Sequence, residues 1–553
     1  MSEWLAHLPI LPVAIPLIAA AATLLSGEPH RTARTVIALI AAVANLAVAM
    51  ILAYMAAEGI PAVWPEGIAV YRVGEWEAPF GIVLVADRLS AVMLVLNAVL
   101  ALASLVYALA RWKRMGFYFH ALFQFLVMGV NGAFLTGDLF NLFVFVEILL
   151  AASYGLLLHG MGTARVKAGL HYIALNLAGS FVFLIGVALI YGACGTLNIA
   201  DLAMRVQGLD SADRSLFRAG AAILGVAFLI KAGAWPLNFW LPSAYSAAAA
   251  PVGAVFSILT KVGFYALLRV GSLLSGSSAE GAPIPFNDGW LFGIGILTLA
   301  VGSAGMLTAR QPQRMTAYAI IVSSGTLLAA LGLDMAGMTG AAVYYLVNSV
   351  LATGAFFMLS EMIDRAGQPQ DTGLEAALES YAADFDETID PGQPDEVIGI
   401  VIPAAMAFLG MSFVLCALLV AGLPPLSGFV AKFLILSAAL GTGSLDIVPA
   451  SAWALWAAVL GSGFISIIAL ARMGIRLFWS PEEITVPRLH LVEAAPVALL
   501  LLLSVGLTIE AGPVMGYHSL AEAALAAPQL YIAAVLRPEA VGLLPSGPEG
   551  GNP

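Results

Sequence analysis

Long apolar stretches recur along nearly the whole chain, and each is long enough to cross a lipid bilayer. Crossing about 30 Å of hydrocarbon takes about 20 apolar residues, and the 553 residues contain fourteen such stretches. Only 10% of the residues are charged and 61% are hydrophobic, which lies outside the range of a soluble domain. The sequence therefore predicts an all-α polytopic membrane protein. The stretches lie near residues 4–26, 35–57, 88–110, 116–136, 139–158, 169–193, 217–240, 251–272, 289–309, 314–334, 339–360, 397–440 (with a break), 452–478 and 491–511.

Basic residues are distributed unequally between the two sides of such a bundle. If the amino terminus is outside, the inside loops hold twelve of the 23 Lys and Arg residues, and the outside loops hold six, among them Arg269. Because cytoplasmic loops carry the excess of basic residues, we predict that both termini face outside. No basic residue precedes the first stretch, so we expect it to remain as an uncleaved first span.

Four ionisable residues lie inside apolar stretches: Glu147, Lys231, Lys261 and Lys432. A charge at bilayer depth costs at least ~2.5 kcal/mol, and such residues usually mark proton or ion paths. Snorkelling is the alternative, but Lys261 has about ten residues, or ~15 Å of helix, on either side, which a lysine side chain does not span. We therefore predict a buried proton or ion path in which Glu147 and Lys231 are each other's most economical partners.

Proline and glycine interrupt two of the stretches close to a lysine. Pro236 follows Lys231 by five residues, whereas Pro424 and Pro425 precede Lys432. Proline removes a backbone hydrogen bond, and irregular backbone at membrane depth is tolerated only against protein or water. The sequence thus predicts a hydrated cavity at Lys231. Broken helices in both halves of a chain are also typical of transporter repeats.

The other polar features indicate structure rather than chemistry. Cys194 and Cys416 lie far apart in apolar stretches, so neither a disulfide nor a Cys-based metal site is indicated. We expect no redox cofactor, since no cysteine cluster or paired-histidine haem site is visible. The segment from Glu361 to Glu396 carries eleven acidic residues and predicts a solvated inside loop, with a docking surface as the alternative. Residues 519–536 are a candidate interfacial helix.

Four linked runs of residues share one motif order along the chain. In chain order, they are Gly137 to Glu147, Lys231 to Tyr245, Pro251 to Tyr265 and Gly422 to Lys432. Together they resemble the antiporter-like subunits shared by respiratory complex I and the multisubunit Mrp cation/proton antiporters. The surroundings of Lys432, the run from Tyr344 to Ser349 and the acidic insertion before Val397 are most similar to the D subunits of the Mrp antiporters.

This resemblance implies fourteen helices with two inverted five-helix repeats, in which helices 7 and 12 are broken. It also implies a division of the chain into residues 1–115 (helices 1–3), 116–272 (first repeat), 289–480 (second repeat, with the acidic inside loop 361–396) and 491–553 (helix 14 and the tail).

The resemblance also implies roles for the buried charges. Glu147 and Lys231 correspond to a charge-switch pair, Lys261 to a central relay and Lys432 to a terminal relay. Relatives often have His in the eleventh helix, where this chain has Asn348, which does not titrate. A route through that helix would then depend on water or on neighbouring hydroxyls. Secondary candidates are Asp138, Asn348, Ser349 and Thr353.

Together these features predict a proton-translocating subunit of a multisubunit Na⁺ (or K⁺)/H⁺ antiporter in a bacterial inner membrane, with other membrane subunits as partners. Such a subunit is a secondary transporter rather than an enzyme, and the loops show no phosphate-binding glycine motif or nucleophile triad. The alternative is a proton-pumping membrane-arm subunit of a complex I-like or membrane hydrogenase redox enzyme, which would hold the same lysines. An independent single-chain transporter is a third interpretation.

Overall fold

The protein is an α-helical bundle with one small β-hairpin. The computed structural model describes residues 5–26, 31–59, 64–110, 116, 118–159, 163–275, 289–333, 335–366, 404–441, 448–479 and 489–536. Within these ranges the chain forms nineteen α-helices and a two-stranded antiparallel sheet. The predicted all-α class is confirmed, and the hairpin is an addition to it.

The helices follow the predicted apolar stretches closely. In chain order the elements are α1 (Leu11–Leu25), α2 (Arg31–Glu58), β1 (Ala69–Arg72), β2 (Val83–Ala86), α3 (Arg88–Leu109), α4 (Phe119–Leu135), α5 (Leu139–Leu158), α6 (Thr163–Cys194), α7 (Ile199–Arg205), α8 (Ser211–Ala232), α9 (Trp240–Ala247), α10 (Ala250–Ser275), α11 (Trp290–Thr308), α12 (Pro312–Leu333), α13 (Met338–Ala366), α14 (Ala404–Ala421), α15 (Ser427–Leu440), α16 (Ala450–Phe478), α17 (Leu491–Ile509), α18 (Ala511–Ala526) and α19 (Pro528–Val535).

Thirteen helical segments of the described chain are long and apolar enough to cross a membrane, and α4 and α15 are shorter apolar helices. Two of the fourteen predicted stretches are interrupted. In the stretch 217–240, α8 ends at Ala232 and α9 begins only at Trp240, and the stretch 397–440 is divided into α14 and α15. Both divisions coincide with the predicted proline-containing breaks. Residues 397–403, at the start of the second divided stretch, lie outside the described ranges.

Two helices occupy the centre of the bundle. The apolar span of α10 is completely enclosed, and that of α13 almost completely. Helix α10 packs against α3, α8, α12 and α13, and α13 packs in addition against α14, α15 and α17. Side chains on α10 and α13 are thereby shielded from lipid on all sides.

One face of the bundle carries the β-hairpin together with α7, α18 and α19, and we call it the hairpin face. Strands β1 and β2 pair with Ala69 opposite Ala86, and the Gly137 amide donates to the Val83 carbonyl. The Arg72 guanidinium donates to the Val535 carbonyl at 2.8 Å, which fastens α19 to this face. The candidate interfacial helix at residues 519–536 is therefore two helices, α18 and α19, docked on the protein.

The acidic segment begins later than the sequence indicated. Glu361 and Asp364 belong to the last turns of α13, where the Ala250 amide donates to Glu361 and the Gln313 amide donates to Asp364. Arg365 forms an ion pair with Glu493 at 2.8 Å. The boundary predicted at residue 361 was therefore wrong, because these side chains hold neighbouring helices together. The rest of the segment, 367–396, lies outside the described residues.

Candidate functional site

Lys231 lies in the last turn of α8, directly before the first helix break. The helix ends at Ala232, and Gly233 adopts a left-handed conformation with φ of 72°, as glycine commonly does after a helix. The break therefore leaves Lys231 at the carbonyl end of α8, where a positive charge is favoured by the helix dipole. Its Nζ atom is buried and donates to the Asn176 carbonyl at 3.1 Å and to the Ser180 hydroxyl at 3.3 Å.

Glu147 is joined to Lys231 through the Ser180 hydroxyl. Ser180 on α6 donates a short hydrogen bond to Glu147 Oε1 on α5 and accepts from Lys231 on α8. Among the described residues, the ion pairs do not include one between Glu147 and Lys231. The expectation that the two residues face each other needs this correction, because α6 inserts a side chain between them.

A small cavity adjoins Lys231. Its volume is about 20 Å³, enough for one water molecule. Tyr172, Asn176, Trp240 and Tyr245 line it together with Lys231, and the indole N–H of Trp240 has no hydrogen-bond partner among the described residues. A cavity was predicted at Lys231, and the structure has one there. Most of the residues that line it are apolar.

Lys261 lies on α10 at the centre of the bundle, with 1% of its surface exposed. This burial excludes snorkelling. Its Nζ atom donates to the Ser323 hydroxyl of α12 at 2.9 Å, and Ser323 donates to the Ser349 hydroxyl of α13, also at 2.9 Å. Three helices are thus connected by one line of polar atoms. Thr353, in contrast, donates to the Ser349 backbone carbonyl one turn earlier.

Lys432 lies on α15 and reaches back across the second break. Its Nζ atom donates to the carbonyl of Ala421 at 2.7 Å, at the end of α14. Gly422 follows with φ of 77°, and a Cβ atom there would come within 2.5 Å of the Lys432 side chain. Glycine is therefore required both by the backbone and by the path of the lysine.

The two breaks place their lysines differently. Lys231 precedes its break and Lys432 follows its own. Lys231 belongs to the last turn of α8, but its ammonium group bonds to Asn176 and Ser180 of α6. The ammonium group of Lys432 instead bonds to the Ala421 carbonyl, so it lies against the carbonyl end of α14, the negative end of that helix dipole.

The secondary candidates have separate environments. Asn348 on α13 accepts a hydrogen bond from Ser427, the first residue of α15, at 2.7 Å. Asp138 lies at the start of α5, where its carboxylate accepts from the Asn141 amide at 2.8 Å and caps the helix. Capping accounts for Asp138 without a transport role.

The polar partners of the lysines were not predicted from the sequence. For Lys231 and Lys261, each is a Ser or Asn within an otherwise apolar helix, and each bonds to a lysine of another helix: Asn176, Ser180 and Ser323. Small polar residues are common where membrane helices meet. Their presence in apolar stretches was the sequence feature from which these contacts could have been predicted. Many serines of the chain instead donate to their own helix, as Ser257 and Ser462 do, so composition alone does not separate the two groups.

The chain is similar to known proteins over nearly its full length. Residues 136–380 match a family model described as NADH:quinone oxidoreductase/Mrp antiporter, TM. The D subunit of a probable K⁺/H⁺ antiporter of Rhizobium meliloti is 50% identical over 539 residues, which cover 97% of this chain and 98% of the relative. The D subunit of an Na⁺/H⁺ antiporter of Alkalihalophilus pseudofirmus is 31% identical, covering 96% and 99%. A chain in the structure of the Mrp complex from a Dietzia species superposes with a TM-score of 0.78 at 25% identity, covering 96% and 99%.

Proposed function

Because the chain belongs to the family of D subunits of Mrp-type antiporters, within the wider NADH:quinone oxidoreductase/Mrp antiporter membrane family, we propose that it translocates protons in a multisubunit monovalent cation/proton antiporter. It is a transporter subunit rather than an enzyme, and its partners are the other membrane subunits of such a complex. The transported ions are H⁺ and either Na⁺ or K⁺. The redox alternative has less support, since the two sequence relatives at 50% and 31% identity are named antiporter subunits.

The observation that carries the proposal is the polar line through the bundle centre. Lys261 donates to Ser323, which donates to Ser349, and all three are enclosed by apolar helices. A lysine away from bulk water can load and release a proton, and hydroxyl groups both donate and accept. We assign Lys261 the role of central relay on this basis.

The two ends of the route follow from the helix breaks. We assign Glu147 and Lys231, bridged by Ser180, the role of a charge-switch pair, and Lys432 the role of terminal relay. The proposed route crosses α13 beside Asn348. This side chain accepts a hydrogen bond from Ser427 but does not titrate. Protons would pass there through Ser349 and water.

The membrane arrangement is proposed on the same grounds. The two broken helices support two five-helix repeats over residues 116–272 and 289–480. The excess of basic residues that the sequence assigns to the inside loops supports an orientation with both termini outside, and the bacterial antiporter relatives support a bacterial inner membrane.

The decisive experiment uses the intact complex in proteoliposomes. An imposed pH gradient should dissipate when Na⁺ or K⁺ is added, and comparing the two ions identifies the substrate. Lys261→Ala should assemble but abolish this exchange, because the relay is lost while a costly buried charge is removed. Normal exchange by assembled Lys261→Ala complexes would refute the relay, and absence of exchange in the unmodified complex would refute the function.

A further inference from the structure

A buried ion pair lies on the same face of α10 as Lys261, nearer the hairpin face. Lys261, Tyr265 and Arg269 follow one another at intervals of four residues, so their side chains share one side of the helix. Eight residues correspond to about 12 Å along the axis. Tyr265 carries the only polar side chain between the two cations in the sequence. The prediction that Arg269 lies in an outside loop was wrong, because the structure places it within α10 and buries it.

Arg269 is held by Asp87, the residue that caps the start of α3. The guanidinium lies 2.7 Å from both carboxylate oxygens, and the side chains are 6% and 7% exposed. Asp87 also accepts from the Ser90 amide at 2.9 Å. Replacing a buried pair by apolar residues is often neutral or stabilising, so stability alone does not explain its presence.

Aromatic rings close the site on two sides. The Arg269 guanidinium lies 5.6 Å from the ring centre of Tyr265 and 5.3 Å from that of Tyr531 on α19. The Tyr265 hydroxyl donates to the Phe134 carbonyl at 2.6 Å. Helix α19, fastened by Arg72, thus covers the pair from the hairpin face.

Arg269 and Asp87 are unsuited to passing a proton onward from Lys261. A guanidinium does not release its proton at physiological pH, so unlike Lys261 it cannot pass one on. Asp87 has both oxygens bonded to Arg269.

We propose that Arg269 and Asp87 form a proton barrier between Lys261 and the hairpin face. This inference rests on the proposed function, because it assigns the direction in which a proton leaves Lys261. With the hairpin side closed, the hydrogen bond to Ser323 is the remaining polar connection of Lys261 among the described residues. Protons then move sideways through the bundle instead of leaking across it.

The test exchanges Arg269 for a residue that can relay protons. Complexes carrying Arg269→His are reconstituted without Na⁺ or K⁺, and passive proton flux is measured under an imposed membrane potential. We expect a leak on the order of tenfold above the unmodified complex, as a barrier lowered by about 1.4 kcal/mol would give. If Arg269→His does not assemble, Arg269→Lys replaces it with the same expectation, since lysine keeps the charge but can release its proton.

Two controls separate a barrier from a structural tie. Arg365→His alters another arginine paired with a buried carboxylate, Glu493, and should not leak. The double variant Asp87→Leu/Arg269→Met leaves no relay group and should stay tight while retaining exchange. A tight Arg269→His complex, or a leak in the apolar double variant, would overturn the proposal. Since the leak is measured without exchangeable cations, its outcome is independent of whether the unmodified complex exchanges Na⁺ or K⁺.

Discussion

Ser180→Ala tests whether Glu147 and Lys231 act through the hydroxyl that lies between them. Ser180 is 4% exposed, and its oxygen contacts the Glu147 carboxylate, the Asn176 carbonyl and Lys231 Nζ. Its single proton can go to either of two acceptors, Glu147 or Asn176. The substitution removes this choice and leaves Glu147 without the partner that the structure gives it.

The expected loss follows from the strength of the bonds removed. A hydrogen bond to a charged group contributes about 1.5–3 kcal/mol. Each ~1.4 kcal/mol added to a barrier lowers a rate tenfold. The exchange rate should therefore fall by roughly 10- to 150-fold. Lys231 keeps its 3.1 Å bond to the Asn176 carbonyl, so most of the loss arises at Glu147. Helix α6 should remain folded, because alanine is a good helix former.

The assay is cation-dependent dissipation of a pH gradient by assembled complexes. Ser153→Ala is the matched control, since Ser153 is a buried serine that bonds to Leu150 and Tyr172 instead of a charge. Ser180→Thr keeps a hydroxyl and should retain more exchange than Ser180→Ala. Unmodified exchange rates in assembled Ser180→Ala complexes would refute the coupling through this residue.

Two further predictions concern the charged pair and the acidic segment. Glu147→Gln and Lys231→Ala should each strongly reduce exchange, because each change leaves the other member of the Ser180-bridged pair without its opposite charge. The double variant should lose little more exchange activity than either single variant. If the two losses multiply in transport assays, the two residues work independently. Replacing residues 367–396 by a short Gly/Ser linker should preserve assembly and exchange, since closure entropy changes slowly with loop length. Failure of the complex to assemble, seen by copurification of the subunits, would instead identify a docking surface. A replacement that starts at Glu361 should be more damaging, because it removes the contact of Glu361 with the Ala250 amide.

The helices could be predicted because the bilayer restricts the backbone conformations that a chain can adopt. Apolar stretches of sufficient length have to be helical when no water is present to satisfy the backbone, and the described helices fall where those stretches lie. The breaks were predicted for a related reason. Gly233 and Gly422 end helices in the left-handed conformation, and the prolines that follow prevent the helices from continuing.

The partners of the buried charges could not be predicted in this way. Arg269 was assigned to a loop because the sequence places it near the end of an apolar stretch. Its actual environment depends on Asp87 and Tyr531, which are distant in the chain. Likewise, Lys231 meets Ser180 instead of Glu147 directly, because the packing of α6 against α5 and α8 decides which side chain lies between them.

The sequence by itself determined that the chain spans a membrane, where its helices break and that Lys231, Lys261 and Lys432 are buried. These properties depend on local composition, since exposing backbone or charge to hydrocarbon is unfavourable at each residue separately. Only the tertiary structure decided that Lys261 connects to Ser323 and Ser349, that Lys231 bonds to α6, and that the carbonyl end of α14 meets Lys432. A change of a few tenths of an ångström in the donor–acceptor distance weakens a hydrogen bond between helices. The packing of the whole bundle sets those distances.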